Sequence, residues 1–379
     1  QAIAVDSGGS VYITGRFNGT VDFDRSEEGA APLTSTGLQG DVFLAKYDKD
    51  GNYEWAQNFG GTGHSSSNGK NVGYSVAVNS EASVDYVYII GTFLGSSVDF
   101  GPLGGGADCV LSDPPSGSVG KRNGDVFFVK YNTTGECQWA QNFGGTGVDE
   151  GRGVAVDKVS GDVYVTGHFK TAGTVDFGPL PGGASCDLTN HNDRYDMFLA
   201  RYNTAGECQW AKRAEAKQHI RAFGIAVDSA GDVYVTGQVK KNWVNFDPQV
   251  AGNGSYFVIS GNKYYAFVAK YDTSGTWKWA NTFGGTRDDQ GVGIAVDSLK
   301  NVYVTGLFKE TVDFDPDHVH PSDADKLVSN RWGDVFFAKY DTDGIYQWAH
   351  RVGGDKDDEG SGIAVDSSGN VYITGYFEN

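Results

Sequence analysis

No stretch of the 379 residues approaches the ~20 consecutive apolar side chains that a membrane-crossing helix needs, so helical insertion into a bilayer is excluded. Positive charge is scarce: 30 Lys and Arg stand against 48 Asp and Glu, a formal net charge of −18. Nucleic acid and anionic membrane surfaces are bound through basic patches, so neither is expected as a partner. No segment keeps a helical period, and none reads as a catalytic triad, a Gly-rich phosphate loop or a carboxylate pair of usable geometry. The seven His residues occupy different places and form no cluster. Cysteine is limited to four residues. Glycine is in excess, with 55 residues, about twice the usual ~7%.

What is present is repetition. A phrase of the form Gly-x-Gly-Ile-Ala-Val-Asp-Ser-x-Gly-Asn-Val-Tyr-Val-Thr-Gly-x-Phe recurs around 3–17, 76–93, 154–169, 225–239, 294–308 and 363–377. Five copies run on to Asp-Val-Phe-x-Ala-Lys-Tyr-Asp-x-x-Gly-x-x-x-Trp-Ala, which closes at Trp55, Trp139, Trp210, Trp279 and Trp348. The units are 1–68, 69–148, 149–219, 220–288, 289–357 and a partial 358–379. Each reads as four short strands. In unit five these are 294–296, 302–305, 335–340 and 346–349, with Asp341-Thr342-Asp343-Gly344 as the last hairpin turn. Four antiparallel strands repeated along a chain predict an all-β fold, a β-propeller in one domain over 1–379. Five complete blades and part of a sixth are expected. The first strand, Gly-Ile-Ala-Val, has the smallest residues and suits the crowded inner position. Propeller repeats are commonly ~40–50 residues, and these are longer. The excess lies between the second and third strands, as at 311–329, and predicts an inserted hairpin. The chain starts inside one strand and stops inside a unit, so a mature fragment or a piece of a longer polypeptide is expected.

The cysteines fall at matching places in two adjacent units. Cys109 and Cys186 lie in the inserted hairpins, and Cys137 and Cys208 lie in Gly-Glu-Cys-Gln-Trp at the fourth strand. Paired gains at corresponding positions predict disulfides Cys109–Cys137 and Cys186–Cys208. Zinc needs closer ligand spacing. Disulfides place the chain in an oxidising, extracytoplasmic setting.

Unit one carries Val21-Asp22-Phe23-Asp24, Leu33-Thr34-Ser35, Asp41-Val42-Phe43-Leu44-Ala45-Lys46-Tyr47-Asp48 and Phe59-Gly60-Gly61-Thr62. These phrases resemble the bacterial β-propeller repeat (SBBP) of large secreted or surface proteins, in versions found in Bacteroidetes. The resemblance covers nearly the whole chain. It implies an exported protein, often one ending in a sorting domain for type IX secretion, and it brings no shared catalytic motif. A looser likeness to NHL-type propellers implies either a binding protein or an enzyme.

The candidate sites follow from what repeats and what departs. Asp22, Asp99, Asp176 and Asp313, with Asn245 in unit four, sit between Val and Phe once per unit and read as structural. Asp149, Asp289 and Asp358, with Asn71 in unit two, occupy the connections into the first strand. They are expected to accept backbone N–H groups; the alternative is a calcium site at the mouth of the ring, calcium being the one candidate cofactor. Asp48-Lys49-Asp50-Gly51-Asn52 and Asp341-Thr342-Asp343-Gly344 lack the distal Glu of a calcium loop and read as turns. Between units three and four the Phe-Gly-Gly-Thr phrase gives way to a basic stretch with Lys212, Arg213, Lys217, His219 and Arg221, suited to an anionic ligand or a partner. Lys240, Lys241 and Trp243 beside Tyr264 and Tyr265 suit sugar stacking. His318, His320, Asp323 and Asp325 offer a weaker metal set, 113–120 reads as a flexible insertion, and Asn18, Asn132 and Asn253 head glycosylation sequons.

The resulting expectation is an exported, non-catalytic interaction or scaffold module of a larger secreted or cell-surface protein. Its partner is a protein or a glycan, with homo-oligomerisation or assembly within the larger chain as further forms of association. The rivals are a lectin-like propeller and a calcium-dependent NHL-like enzyme of the lactonase or lyase type.

Overall fold

The computed structural model describes residues 1–379 except 25, 27–30, 37–39, 61–70, 82–83, 95–96, 105–108, 113–123, 171, 179–185, 192–193, 251–255, 316–324 and 379. The side chains of 241, 256, 258–261 and 331 are also outside the description. The fold is all-β, with no helix among the described residues. The chain divides into two compact units, Gln1–Arg194 with Ala200–Ala211, and Tyr195–Leu199 with Lys212–Asn379.

The first unit opens with β1 (Ala2–Val5), β2 (Val11–Phe17), β3 (Thr20–Asp22), β4 (Pro32–Thr34), β5 (Asp41–Tyr47) and β6 (Tyr53–Phe59). Strands β1-β2-β5-β6 form one antiparallel sheet in that order, and β3-β4 form the inserted hairpin. The second repeat follows suit with β7 (Val72–Glu81), β8 (Val84–Phe93), β9 (Val98–Asp99), β10 (Val110–Leu111), β11 (Asp125–Asn132) and β12 (Cys137–Phe143). The third repeat contains β13 (Glu150–Val156), β14 (Val163–Phe169), β15 (Gly173–Asp176), β16 (Asp187–Asn190), β17 (Asp196–Tyr202) and β18 (Cys208–Ala216). Its last two strands have residues in both units.

The second unit continues with β19 (His219–Val227), β20 (Val233–Asn245), β21 (Tyr256–Tyr271) and β22 (Trp277–Phe283), paired in sequence order. The next sheet has β23 (Gln290–Val296), β24 (Val302–Asp313), β25 (Lys326–Tyr340) and β26 (Tyr346–Val352). In both sheets the inserted hairpin is continuous with the second and third strands beyond a bulge. A final hairpin joins β27 (Glu359–Val365) and β28 (Val371–Tyr376).

Each repeated letter has a mechanical cause. The Asp that ends the first strand accepts backbone N–H groups from the turn it starts, and the Tyr of the second strand donates its hydroxyl to the same carboxylate. Asp297 takes the N–H of Leu299 at 2.9 Å and of Asn301 at 2.8 Å, and the Tyr303 hydroxyl at 3.0 Å. The turn between third and fourth strands works alike: Asp341 Oδ1 accepts from the N–H of Asp343 and of Ile345, and Gly344 sits at φ 83°, where an L side chain is strained. The inner strands lie side by side, β1, β7 and β13 in one unit and β19, β23 and β27 in the other. They approach closely: a Cβ on Gly291 would stand 2.1 Å from Thr236 Oγ1 of the preceding sheet.

The inserted hairpin is anchored by aromatic contacts. Its Val-Asp-Phe phenylalanine packs on the third-strand phenylalanine of its own sheet, as Phe100 on Phe127 at 4.8 Å and Phe314 on Phe336 at 5.1 Å. The third-strand tyrosine donates its hydroxyl to that phenylalanine's carbonyl in every complete repeat, at 2.9, 2.8, 2.6, 2.9 and 3.0 Å for Tyr47, Tyr131, Tyr202, Tyr271 and Tyr340. The fourth-strand phenylalanine of the preceding repeat closes the stack. Phe59 meets Phe100, Phe143 meets Phe177, and Phe283 meets Phe314. The intervening acids turn the chain, Asp313 Oδ1 accepting from the N–H of Asp315.

Successive sheets are also joined by hydrogen bonds. The indoles of Trp55, Trp139 and Trp279 donate to the carbonyls of Thr133, Thr204 and Thr342 in the next repeat's last turn. Beside them Gln57, Gln141 and Asn281 donate to Gly135, Gly206 and Gly344. One further position, at the start of the fourth strand, packs on the third-strand tyrosine or on the hairpin. It holds Tyr53, Trp277 and Tyr346 in three repeats, and in the other two the cysteines of disulfides Cys109–Cys137 and Cys186–Cys208.

Two outcomes are expected. Phe314→Ala should lower the unfolding free energy by about 3–5 kcal/mol, and Tyr340→Phe by about 1 kcal/mol, in urea titrations; equal losses would contradict the clamp. Reducing both disulfides should cost about 3–4 kcal/mol each and lower the melting temperature measured by calorimetry.

Candidate interaction surface

The acids of the inter-repeat connections are buried and engaged. Asp289 accepts the N–H of Gly285 at 2.9 Å and of Lys309 at 2.8 Å, and its own N–H donates to Tyr264. Asp149 bridges Gly145 and Lys170 in the same way, and Asp358 bridges Gly354 and Glu378. Asn71 takes the N–H of Leu94 and donates to the Gly40 carbonyl. Each side chain ties the incoming loop to the end of the second strand. Among the described residues no group of three or more His, Cys, Asp or Glu side chains stands together as a metal site. Burial pushes the Asp289 carboxyl up to about 7, against the pull of its two N–H donors.

The fourth repeat breaks this arrangement. Ile220 stands where Asn71, Asp149, Asp289 and Asp358 stand in other repeats, fully buried, its N–H donating to the Tyr195 carbonyl. The connection becomes strand: Glu215 and Ala216 of β18 pair with Asn245 and Val244 of β20, and the Lys217 N–H donates to the Trp243 carbonyl. The basic stretch and the Lys240–Trp243 segment, separate in the sequence, are thereby brought together. His219 lies opposite Lys240, and Lys240 opposite Tyr264, across three neighbouring strands.

The cations divide into two kinds. Arg213 is buried and committed, its guanidinium 2.9 Å from both Asp196 and Glu215. It occupies the place where Arg351 pairs with Asp334 in the fifth repeat, so its contact is part of the frame. Burial still raises the Asp196 carboxyl to about 7, with Arg213 opposing. The second kind faces tyrosines. Arg221 lies 4.0 Å over the ring of Tyr195, which also meets His219 at 5.4 Å, and Lys240 lies 4.8 Å over Tyr264. All of these side chains are half-buried. Such cation–ring contacts are electrostatically favourable, through the negative face of the ring.

Tyr195 was not expected. Its signal is positional. The residue before the third strand is Gly40, Gly124 and Gly333 in three repeats and tyrosine, Tyr195 and Tyr264, in the other two. Each of these tyrosines replaces a repeated glycine, and each takes a cation. Lys212 is half-buried and Lys217 exposed. The Lys241 side chain, His318, His320, Asp323, residues 113–120 and Asn253 lie outside the described residues.

Geometry and repeat together define the class, a β-propeller repeat protein. Residues 278–307 and 347–376 match the family SBBP, described as a beta-propeller repeat. Each matched segment runs from a fourth strand through the connection to the second strand of the following sheet. An uncharacterised WD repeat-containing protein of Acanthamoeba polyphaga mimivirus is 23% identical over 94% of this chain and 28% of its own length. The regulatory protein FlaEY of Caulobacter vibrioides is 27% identical over 59% of this chain and 22% of its own. The chain thus spans about a quarter of the length of these relatives. A crystal structure of a protein of unknown function from Bacteroides caccae aligns with 84% of this chain and 92% of its own, at 11% identity and TM-score 0.29.

The buried acids set a pH dependence. A carboxyl whose folded pKa is raised stabilises the fold below the ordinary range near 4, and that contribution is lost as pH rises through about 7. The urea midpoint should therefore fall between pH 5 and pH 8, and Asp289→Asn should flatten that slope whatever its absolute loss. An unchanged slope would show that Asp289 ionises freely in the fold.

Proposed function

We propose that this chain is a non-catalytic interaction module of an exported protein, and that it engages its partner through the cation–tyrosine surface where the third repeat meets the fourth. The observation that carries the reading is the departure itself. Residues present in every repeat are consumed by the frame, in clamps, turns and latches. The residues that differ gather as a basic, aromatic face in a chain of net charge −18: His219 and Arg221 on β19, Lys240 on β20 and Tyr264 on β21, with Tyr195, just before β17, stacked on Arg221. Such a face fits an acidic protein segment or an anionic glycan, where guanidinium and ammonium groups pair with carboxylates and rings stack on apolar faces. The two disulfides support an oxidising compartment. The family match and the WD-repeat relative support an interaction role. Closure of all repeats into a single ring over 1–379 is part of the same proposal, and small-angle scattering tests it.

Cell-surface extracts and an anionic glycan array, probed with the folded protein, test the reading. Arg221→Ala combined with Lys240→Ala should weaken retention about tenfold or more without lowering the melting temperature by more than a few degrees. Equal retention by the variant would overturn the surface, and turnover of a bound glycan would overturn the non-catalytic reading.

A further inference from the structure

Two cations of the cation–tyrosine surface lack what other cations of the chain possess. Arg152, Arg213, Arg287 and Arg351 each have a guanidinium nitrogen 2.5–2.9 Å from a carboxylate, and Arg201 pairs with Asp162. Arg152 gives the direct contrast, lying 4.0 Å over the ring of Tyr74 and 2.7 Å from Glu150. Arg221 lies at the same 4.0 Å over Tyr195, yet among the described residues it meets no carboxylate, and its buried Nε has no hydrogen-bond acceptor. Lys240, 4.8 Å over Tyr264, meets no carboxylate either. Asp288 accepts the Tyr264 N–H at 3.0 Å and pairs with neither cation. The chain has 48 acids against 30 Lys and Arg, so acceptors are not scarce. A half-buried cation without an acceptor carries a desolvation cost that a bound anion offsets.

The strand register sets the spacing of the two charges. Arg221 of β19 lies opposite Gln238 of β20, and Lys240 follows Gln238 by two residues and lies opposite Tyr264 of β21. Paired and alternate residues share a face of a sheet, so Arg221, Gln238, Lys240 and Tyr264 stand on one side. The two cations are therefore one strand apart across the sheet, ~4.7–4.9 Å, and one alternate step apart along it, ~6.4–6.8 Å. The longer step equals the spacing of alternate side chains in an extended peptide. The tyrosine rings are already in use. Arg221 covers a face of Tyr195, whose ring also meets His219 at 5.4 Å, and Lys240 covers a face of Tyr264. His219 is committed as well, its Nδ1 accepting the Tyr195 N–H at 3.3 Å. A sugar that stacks needs an open ring face, whereas here the rings hold cations and the surface presents charge.

We propose that the occupant of this surface is an extended acidic peptide with acids at alternate positions, Glu-x-Glu or Asp-x-Asp, one carboxylate on Arg221 and the other on Lys240. This occupant presupposes the reading of the surface as the point of engagement, and it selects the acidic protein segment over the anionic glycan. The planar guanidinium takes its carboxylate in a charge-assisted contact, and the ammonium takes the second as a point charge. Acids at adjacent positions point to opposite sides of an extended chain, so only one of them reaches the face. Spacing, and not acidity alone, is what the surface selects.

Three labelled peptides, added to the 379-residue protein at low salt and followed by fluorescence anisotropy, test the proposal. Gly-Ser-Glu-Thr-Glu-Ser-Gly should bind saturably. Its isomer with adjacent acids, Gly-Ser-Glu-Glu-Thr-Ser-Gly, and the neutral Gly-Ser-Gln-Thr-Gln-Ser-Gly should each bind about tenfold more weakly or worse, each having lost at least one charge-assisted contact. Arg221→Gln or Lys240→Gln should remove the preference between the two acidic isomers, and the peptide comparison on the unaltered protein keeps the test open if either variant folds poorly. Equal binding of the two acidic isomers, or no saturable binding of the first, would overturn the proposal. So would an unlabelled polygalacturonate oligosaccharide that binds this surface while the peptides do not. In those cases loss of cell-surface retention in the Arg221→Ala, Lys240→Ala protein would still uphold the surface itself, so the two readings fail separately.

Discussion

One phenolic hydroxyl per repeat holds the arrangement together. Where the third-strand tyrosine donates to the carbonyl of the Val-Asp-Phe phenylalanine, it turns a long insertion into part of the core. Without that bond the inserted hairpin would be a surface excursion paying loop entropy for little contact. With it, the phenylalanine is fixed where the preceding repeat's fourth-strand ring can stack on it. The tyrosines Tyr131, Tyr202, Tyr271 and Tyr340 are buried enough that ionisation is pushed far above its ordinary range, so the donor stays a donor. Intra-repeat and inter-repeat packing thus share one residue, the hairpin phenylalanine.

That sharing explains which letters repeat. Trp and Gln or Asn of the fourth strand reach the next turn, glycine of the first strand makes room for the preceding threonine, and the turn aspartates satisfy backbone N–H groups. A residue serving such a role is unavailable for binding chemistry. The acids at Asp149, Asp289 and Asp358 show this plainly: their carboxylates are filled by backbone donors from two different elements. On the proposed function, specific recognition falls to positions where the role has been vacated; in the fourth repeat Ile220 stands in place of the acid and the connection becomes strand.

The strands, their order and the inserted hairpin were legible because local alternation, turn chemistry and repetition all point the same way. Trp55 and its counterparts mark their units in the sequence, and the indoles of Trp55, Trp139 and Trp279 reach the next repeat's last turn. The cysteines could be paired by eye because matching positions in adjacent repeats meet the same neighbours. The candidate surface was only half legible. Lys212–Arg221 stood out as basic, yet Arg213 serves the frame through Asp196. Tyr195 was missed because its partners lie on other strands, and linear proximity says nothing of cross-strand stacking. Comparison of each repeat position by position, with attention to glycine replaced by tyrosine, carries that signal. Composition does not.

The latch between sheets is offset by one unit: the donor sits in one repeat and its acceptor in the following one. A duplication beginning at any point and lasting one full period therefore recreates both halves of every junction, wherever its endpoints fall. Unequal crossing-over can lengthen or shorten such a gene without redesigning a single seam. The inherited module is then a phase-free length of sequence, and its ends need not coincide with the edges of a sheet.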